Sequence, residues 1–170
     1  LDAPTGSFTL EAWVKYEGTG SGFETIIEFG DDNPLFGINA GTLTLSGGIT
    51  APKQFIRNVW AHIAVSYDLP TQDLRLYING AEVAQETISL AFSGQGMGIG
   101  HLSGDSYFPG SIDEVRIWEV ARSAAEISGA FTSDLVGNEP GLLAYYKFDQ
   151  TVSGFDLLPD RSINSFDGTL

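Results

Sequence analysis

The densest run of hard oxygen donors in the chain is Asp31-Asp32-Asn33, three consecutive side chains directly after Gly30. Carboxylates and amides gathered on a loop suit calcium, which takes oxygen ligands at about 2.3–2.6 Å in flexible geometry. The same residue types build solvated turns through side-chain to backbone hydrogen bonds, so the run alone leaves both readings open. A second loop, Gly100 to Phe108, carries Asp105 beside Tyr107 and Phe108. Aromatic residues on a Gly-flanked loop of a rigid scaffold are placed for recognition, so Tyr107 and Phe108 are expected to touch a ligand.

Catalytic chemistry finds no comparable grouping. Retaining glycosidases need two carboxyl groups about 5–5.5 Å apart. Asp113 and Glu114 are neighbours in sequence and on a regular strand point to opposite faces, while Glu11, Glu24 and Glu28 lack an aspartate in the required rhythm. No Gly-x-Ser-x-Gly elbow or phosphate-cradling loop is present, and the chain has no cysteine. The two histidines, His62 and His101, cannot pair as a transition-metal site with the residues beside them in sequence. The expectation is a protein that is not an enzyme.

Composition narrows the partners. With 8 basic and 22 acidic residues the formal charge is −14, a field that repels nucleic acid and anionic membrane but suits divalent cations. No apolar stretch is long enough to span a bilayer, so no membrane insertion is expected, and Leu1 to Phe8 lacks the regions of a signal peptide. The sequence is expected to be a single domain, residues 1–170, excised from a longer multi-domain protein.

The elements that must position these loops are strands. Phe8, Leu10, Ala12, Val14 and Tyr16 alternate with Thr9, Glu11, Trp13 and Lys15, a period of two with one buried face. Similar runs are expected at Phe23–Phe29, Leu35–Asn39, Thr42–Leu45, Trp60–Tyr67, Leu74–Ile78, Ala81–Ile88, Gly96–Gly100, Ser111–Val120 and Leu142–Phe148, with Asn79-Gly80 closing a tight hairpin. One short helix follows Ser123, where Glu126 completes a capping box and Ile127 and Phe131 pack down. Many short strands and one helix predict an all-β, two-sheet antiparallel sandwich. Trp13 and Trp118 share their strands' polar face with Glu11, Glu114 and Arg116. They form either part of an exposed sugar-stacking surface or, preferentially, a framework packed under loops or the helix while Glu11 and Arg116 pair across strands.

Five segments in order carry a family pattern: Ser7–Glu17, Trp60–Asp68, Leu74–Val83, Phe108–Ile127 and Glu139–Asp149. Together they resemble the concanavalin A-like, laminin G-like jelly-roll superfamily, and the likeness covers nearly the whole chain. It implies two curved antiparallel sheets, often a bound calcium ion, and roles in carbohydrate recognition or adhesion within large secreted proteins. Resemblance to pentraxin-type relatives would bring Asp105 alongside Asp31, Asp32 and Asn33 as a second arm of the metal site. Laminarinase-like relatives suggest Asp113, near Asp149 or Asp160, as another calcium ligand, although a carboxylate bonded to strand-end amides fits it better. The tail Asp160–Gly168 resembles the Asp-containing turn after the last strand or at the start of a next repeat. The expectation is therefore a calcium-assisted carbohydrate-binding or adhesion module, secreted or cell-surface and bacterial, whose partner is a glycan. The alternative is a structural domain whose partner is another protein domain.

Overall fold

The computed structural model describes residues 1–30, 35–91, 96–101, 107–149 and 157–170. Asp31, Asp32, Asn33 and Asp105 lie outside these residues.

The alternating run at the start forms β1 (Phe8–Tyr16), followed by β2 (Phe23–Phe29), β3 (Phe36–Asn39), β4 (Thr42–Leu45) and β5 (Ile49–Gln54). Then come β6 (Trp60–Asp68), β7 (Asp73–Ile78), β8 (Ala81–Thr87), β9 (Met97–Ile99) and β10 (Gly110–Trp118). Helix α1 (Ala124–Ala130), β11 (Leu142–Tyr146), β12 (Leu157–Leu158) and β13 (Gly168–Thr169) complete the described elements. One sheet runs β11-β10-β1-β6-β7-β8, the other β5-β4-β3-β2-β9, and every pairing within them is antiparallel. The expected sandwich is what the chain forms.

Its core follows from the period of two. Leu10, Ala12, Val14, Ile63, Val65, Leu74, Leu76, Val115 and Ile117 project from the six-stranded sheet. They meet Ile26, Phe36, Ile38 and Leu43 of the other sheet, and each fully buried aliphatic or aromatic side chain contributes roughly 1.5–3 kcal/mol. Within the five-stranded sheet, β3 lies so close to β2 that a Cβ on Gly37 would meet the Glu24 carbonyl oxygen at 2.2 Å. Asn79 and Gly80 have φ of 50° and 75°, the positive pair a tight β7–β8 hairpin requires.

Two strands depart from their sequence reading. β5 escapes the pattern because Pro52 interrupts it, and a proline is tolerated there since β5 is an edge strand. β1 is buried on both faces, Thr9 and Glu11 included, because α1 and the loop after it cover the outer side of its sheet. The tail docks on β11: the Asp160 carboxylate accepts from the Tyr145, Ser162 and Phe166 amides and the Ser162 hydroxyl.

Candidate ligand groove and the covered sheet face

Under α1, Glu11 of β1 and His62 of β6 meet Arg122 of the connection between β10 and α1. The His62 Nε2 lies 3.1 Å from Glu11 Oε2, and Arg122 Nη1 donates to Glu11 Oε1 at 2.5 Å. Burial alone would raise the Glu11 pKa, but the His62 hydrogen bond and the Arg122 charge outweigh it and hold the carboxyl below its ordinary range. Trp13 donates its indole N–H to the Phe131 carbonyl at 3.0 Å, and the Arg122 guanidinium sits 4.1 Å above the Trp118 ring. Both tryptophans are framework, as preferred from sequence.

Glu11 and Arg116 are cross-strand neighbours in register, yet they choose other partners. Arg116 donates to the Ala130 and Ser133 carbonyls at 3.1 and 2.8 Å and to Glu114 at 2.9 Å, pinning the C-terminal side of α1. The Tyr145 hydroxyl donates to the same Glu114 carboxylate at 2.5 Å, and burial together with that bond raises the Tyr145 pKa.

The expectation that Asp113 and Glu114 point to opposite faces fails. The β1–β10 register shifts between Glu11 and Trp13, and Glu114, at the bulge, has φ of 50°. Asp113 pairs with Trp13 and so shares its outward face, which is also where Glu114 meets Arg116. Asp113 Oδ1 accepts the Glu114 amide at 2.8 Å, the strand-end role weighed for it. Burial, with the Glu114 and Asp149 charges, raises its pKa. Asp160 is held apart in the tail. No group of three or more His, Asp or Glu side chains placed to hold a metal occurs among the described residues.

The recognition loop divides. Tyr107 is 61% exposed and stacks on His101 with ring centroids 3.9 Å apart, so it remains available to a ligand. Phe108 is not: it is only 9% exposed, packed 6.0 Å from the Tyr16 ring in the core, and its expected ligand role is corrected. The stems of the two acidic loops leave the β2–β9 pair at opposite ends of β9. The Gly30 amide bonds the Gly96 carbonyl beyond one end of β9, and the Gly100 amide bonds that of Ile26 beyond the other.

A feature not anticipated from sequence lies where the sheets part, between edge strands β5 and β8. A groove of about 470 Å³ is lined by Ala51, Pro52, Lys53, Phe55, Ile56, Val59, Trp60, Ile78, Asn79, Glu82 and Val83. Trp60 is 43% exposed, Val59 51% and Ile56 72%. The connection from β5 to β6 is tied down: the Phe55 amide donates to the Gly41 carbonyl, the Asn58 amide to that of Tyr16, and Arg57 to that of Gly18. With its polar groups anchored inward, its apolar side chains are turned to the groove. The signal that could have disclosed it is Phe55-Ile56 and Val59-Trp60 flanking the Arg57-Asn58 turn, apolar residues where a loop is ordinarily polar.

Two antiparallel sheets packed face to face, with one short helix on the outer side, make this a jelly-roll sandwich. Residues 1–128 match the laminin G-type family model described as the concanavalin A-like lectin/glucanases superfamily, and the chain belongs to that family. It is similar to a Bacteroides ovatus protein provisionally described as carbohydrate binding, at 26% identity and a TM-score of 0.82, covering 98% of this chain and 52% of that one. It shares its fold with domain 4 of an extracellular arabinanase of Geobacillus stearothermophilus, solved with arabinotriose, at 23% identity and a TM-score of 0.60, covering 75% of this chain and 67% of that one. Mouse pappalysin-1 is 28% identical over 159 residues, 75% of this chain. The chain spans about one tenth of that relative's length and about half of the Bacteroides protein.

Proposed function

We propose that this chain is a non-catalytic carbohydrate-binding module of a secreted bacterial protein, and that the groove between β5 and β8 is its ligand site. The observation that carries it is the half-exposed Trp60 ring on the wall of a 470 Å³ groove flanked by Lys53, Asn79 and Glu82. A largely apolar concavity with a few convergent polar tips is the usual form of a small-ligand site. The 26% identical Bacteroides protein, matched along nearly this whole chain, supports the same reading. The non-catalytic part is supported by the carboxylates Glu11 and Glu114, whose oxygens are taken up by Arg122, His62, Arg116 and Tyr145.

Calcium assistance belongs to this proposal on donor chemistry alone, with Asp31, Asp32, Asn33 and Asp105 as the hard oxygen donors. Asp113, on the outer face of the other sheet with one oxygen on a backbone amide, is left out of that set.

Calorimetric titration of a polysaccharide panel, with calcium and with EDTA, tests both parts. Saturable binding supports the module, and loss of binding together with a fall in Tm under EDTA supports calcium, since a ligand of the folded state raises Tm. Equal melts in both buffers would remove calcium from the proposal. A second reading, a protein-interaction domain, is favoured by Ile56 and Val59, aliphatic side chains exposed at the groove's rim. Silence across the panel would transfer the groove to that reading.

A further inference from the structure

We infer that the groove takes an uncharged glycan and discriminates against chains bearing uronate, sialate or sulfate groups, an inference that rests on the carbohydrate reading of that groove. Recognition of an anionic sugar needs fixed cationic donors, best a guanidinium that grips a carboxylate with two parallel N–H bonds. Among the described residues no arginine lines the groove; its one cation is Lys53, and its one carboxylate, Glu82, is paired with Arg75.

Of the other cations, Arg75 pairs with Asp73 and with Glu82 itself, Arg116 with Glu114, Arg122 with Glu11, Lys15 with Glu17, and Lys147 with Asp134 and Asp149. The Arg57 guanidinium, in the loop beside the groove, donates to the Gly18 carbonyl, and Arg161 lies in the tail on β11. An anion entering the groove would therefore find no guanidinium to grip it and would meet a formal charge of −14 at long range, with one flexible ammonium in the lining to offset that field.

A neutral sugar meets none of this opposition. The C–H face of a pyranose or furanose ring lies against Trp60, with Val59 and Val83 excluding water around it. Its hydroxyls act as both donor and acceptor, so they match a mixed set: the Lys53 ammonium donates, the Glu82 oxygen not held by Arg75 accepts, and the Asn79 side-chain NH2 donates while its Oδ1 is held by the His62 amide.

The test uses the intact chain and matched polymers that differ in charge: fully methyl-esterified homogalacturonan against its de-esterified acid, galactan against sulfated galactan, and neutral xylan, arabinan, mannan and β-glucan. At least one neutral polymer is expected to bind ten times or more tightly than any acidic one at low salt. Trp60→Ala is expected to lose tenfold or more of that affinity and Trp60→Phe to recover part of it, with Tm unchanged in both. Residual binding of acidic polymers should strengthen with added salt, because screening weakens repulsion. Equal or preferential binding of acidic polymers that still depends on Trp60 would overturn the uncharged class while leaving the groove as a sugar site. Absence of binding to every polymer, or binding indifferent to Trp60→Ala, would overturn the groove reading and this inference with it.

Discussion

The covered face of the six-stranded sheet and the open edge between β5 and β8 use their residues in opposite ways. Under α1, Glu11 and Arg116, groups that normally seek water, are buried, Glu114 and Trp13 are partly so, and each holds a partner there. In the groove, groups that normally avoid water are exposed, Trp60, Val59 and Ile56 among them. The lesson is that polarity does not mark the groove proposed as the ligand site. The molecule's most chemically suggestive side chains are consumed in fastening a helix to a sheet, and its unsatisfied surface is apolar.

The largest expected effect lies on the covered face. Glu11→Ala leaves Arg122 and His62 without their shared partner, and removing one member of a buried ion pair costs roughly 3–5 kcal/mol, to be read as a shift in urea midpoint. The same network sets a pH dependence. Because the folded carboxyl titrates below its unfolded value, its stabilisation is present above the ordinary glutamate range and is lost as pH falls through the folded pKa. Urea midpoints should therefore fall below about pH 4.5, and more gently in Glu11→Gln.

The open edge should respond in the converse manner. Trp60→Ala is expected to change stability by no more than about 0.5 kcal/mol, the range of an exposed substitution, while sugar binding collapses; a large loss of stability would mean the ring is architecture after all.

Smaller effects sharpen the contrast at the helix. Ser123 accepts the Glu126 amide while Glu126 accepts the Ser123 amide, and Ser123→Ala should cost about 1 kcal/mol without touching affinity. The smallest change expected is a gain. The raised pKa of Asp113 means its charge opposes folding once pH exceeds the unfolded value, so Asp113→Asn should raise Tm slightly at pH 7 and hardly at all at pH 3. A fall in Tm at pH 7 would show that the charge is needed.

What could be read from sequence was local. Alternation along Phe8–Tyr16, the Asn79-Gly80 turn and the Ser123–Glu126 box each involve residues within a few positions of one another, and the structure keeps all three. What could not be read depends on distant partners. Glu11 is fixed by residues 51 and 111 positions away, and Trp13 by one 118 away, so a polar face of a strand became an interior. One bulge at Glu114 reversed the parity by which Asp113 and Glu114 had been assigned to different sides. Phe108 looked like a loop residue, yet strand β10 begins only two positions later and draws its ring inward. The groove is a property of two edges meeting and belongs to no single segment.

The placement of the three tryptophans gives the protein its own optical reporter. Trp118 is buried beneath a guanidinium and Trp13 is partly covered by Phe131, whereas Trp60 stands half in solvent. Emission excited at the red edge of indole absorption should therefore contain a water-relaxed component from Trp60, open to quenching by acrylamide and displaced toward the blue whenever something dry settles on that ring.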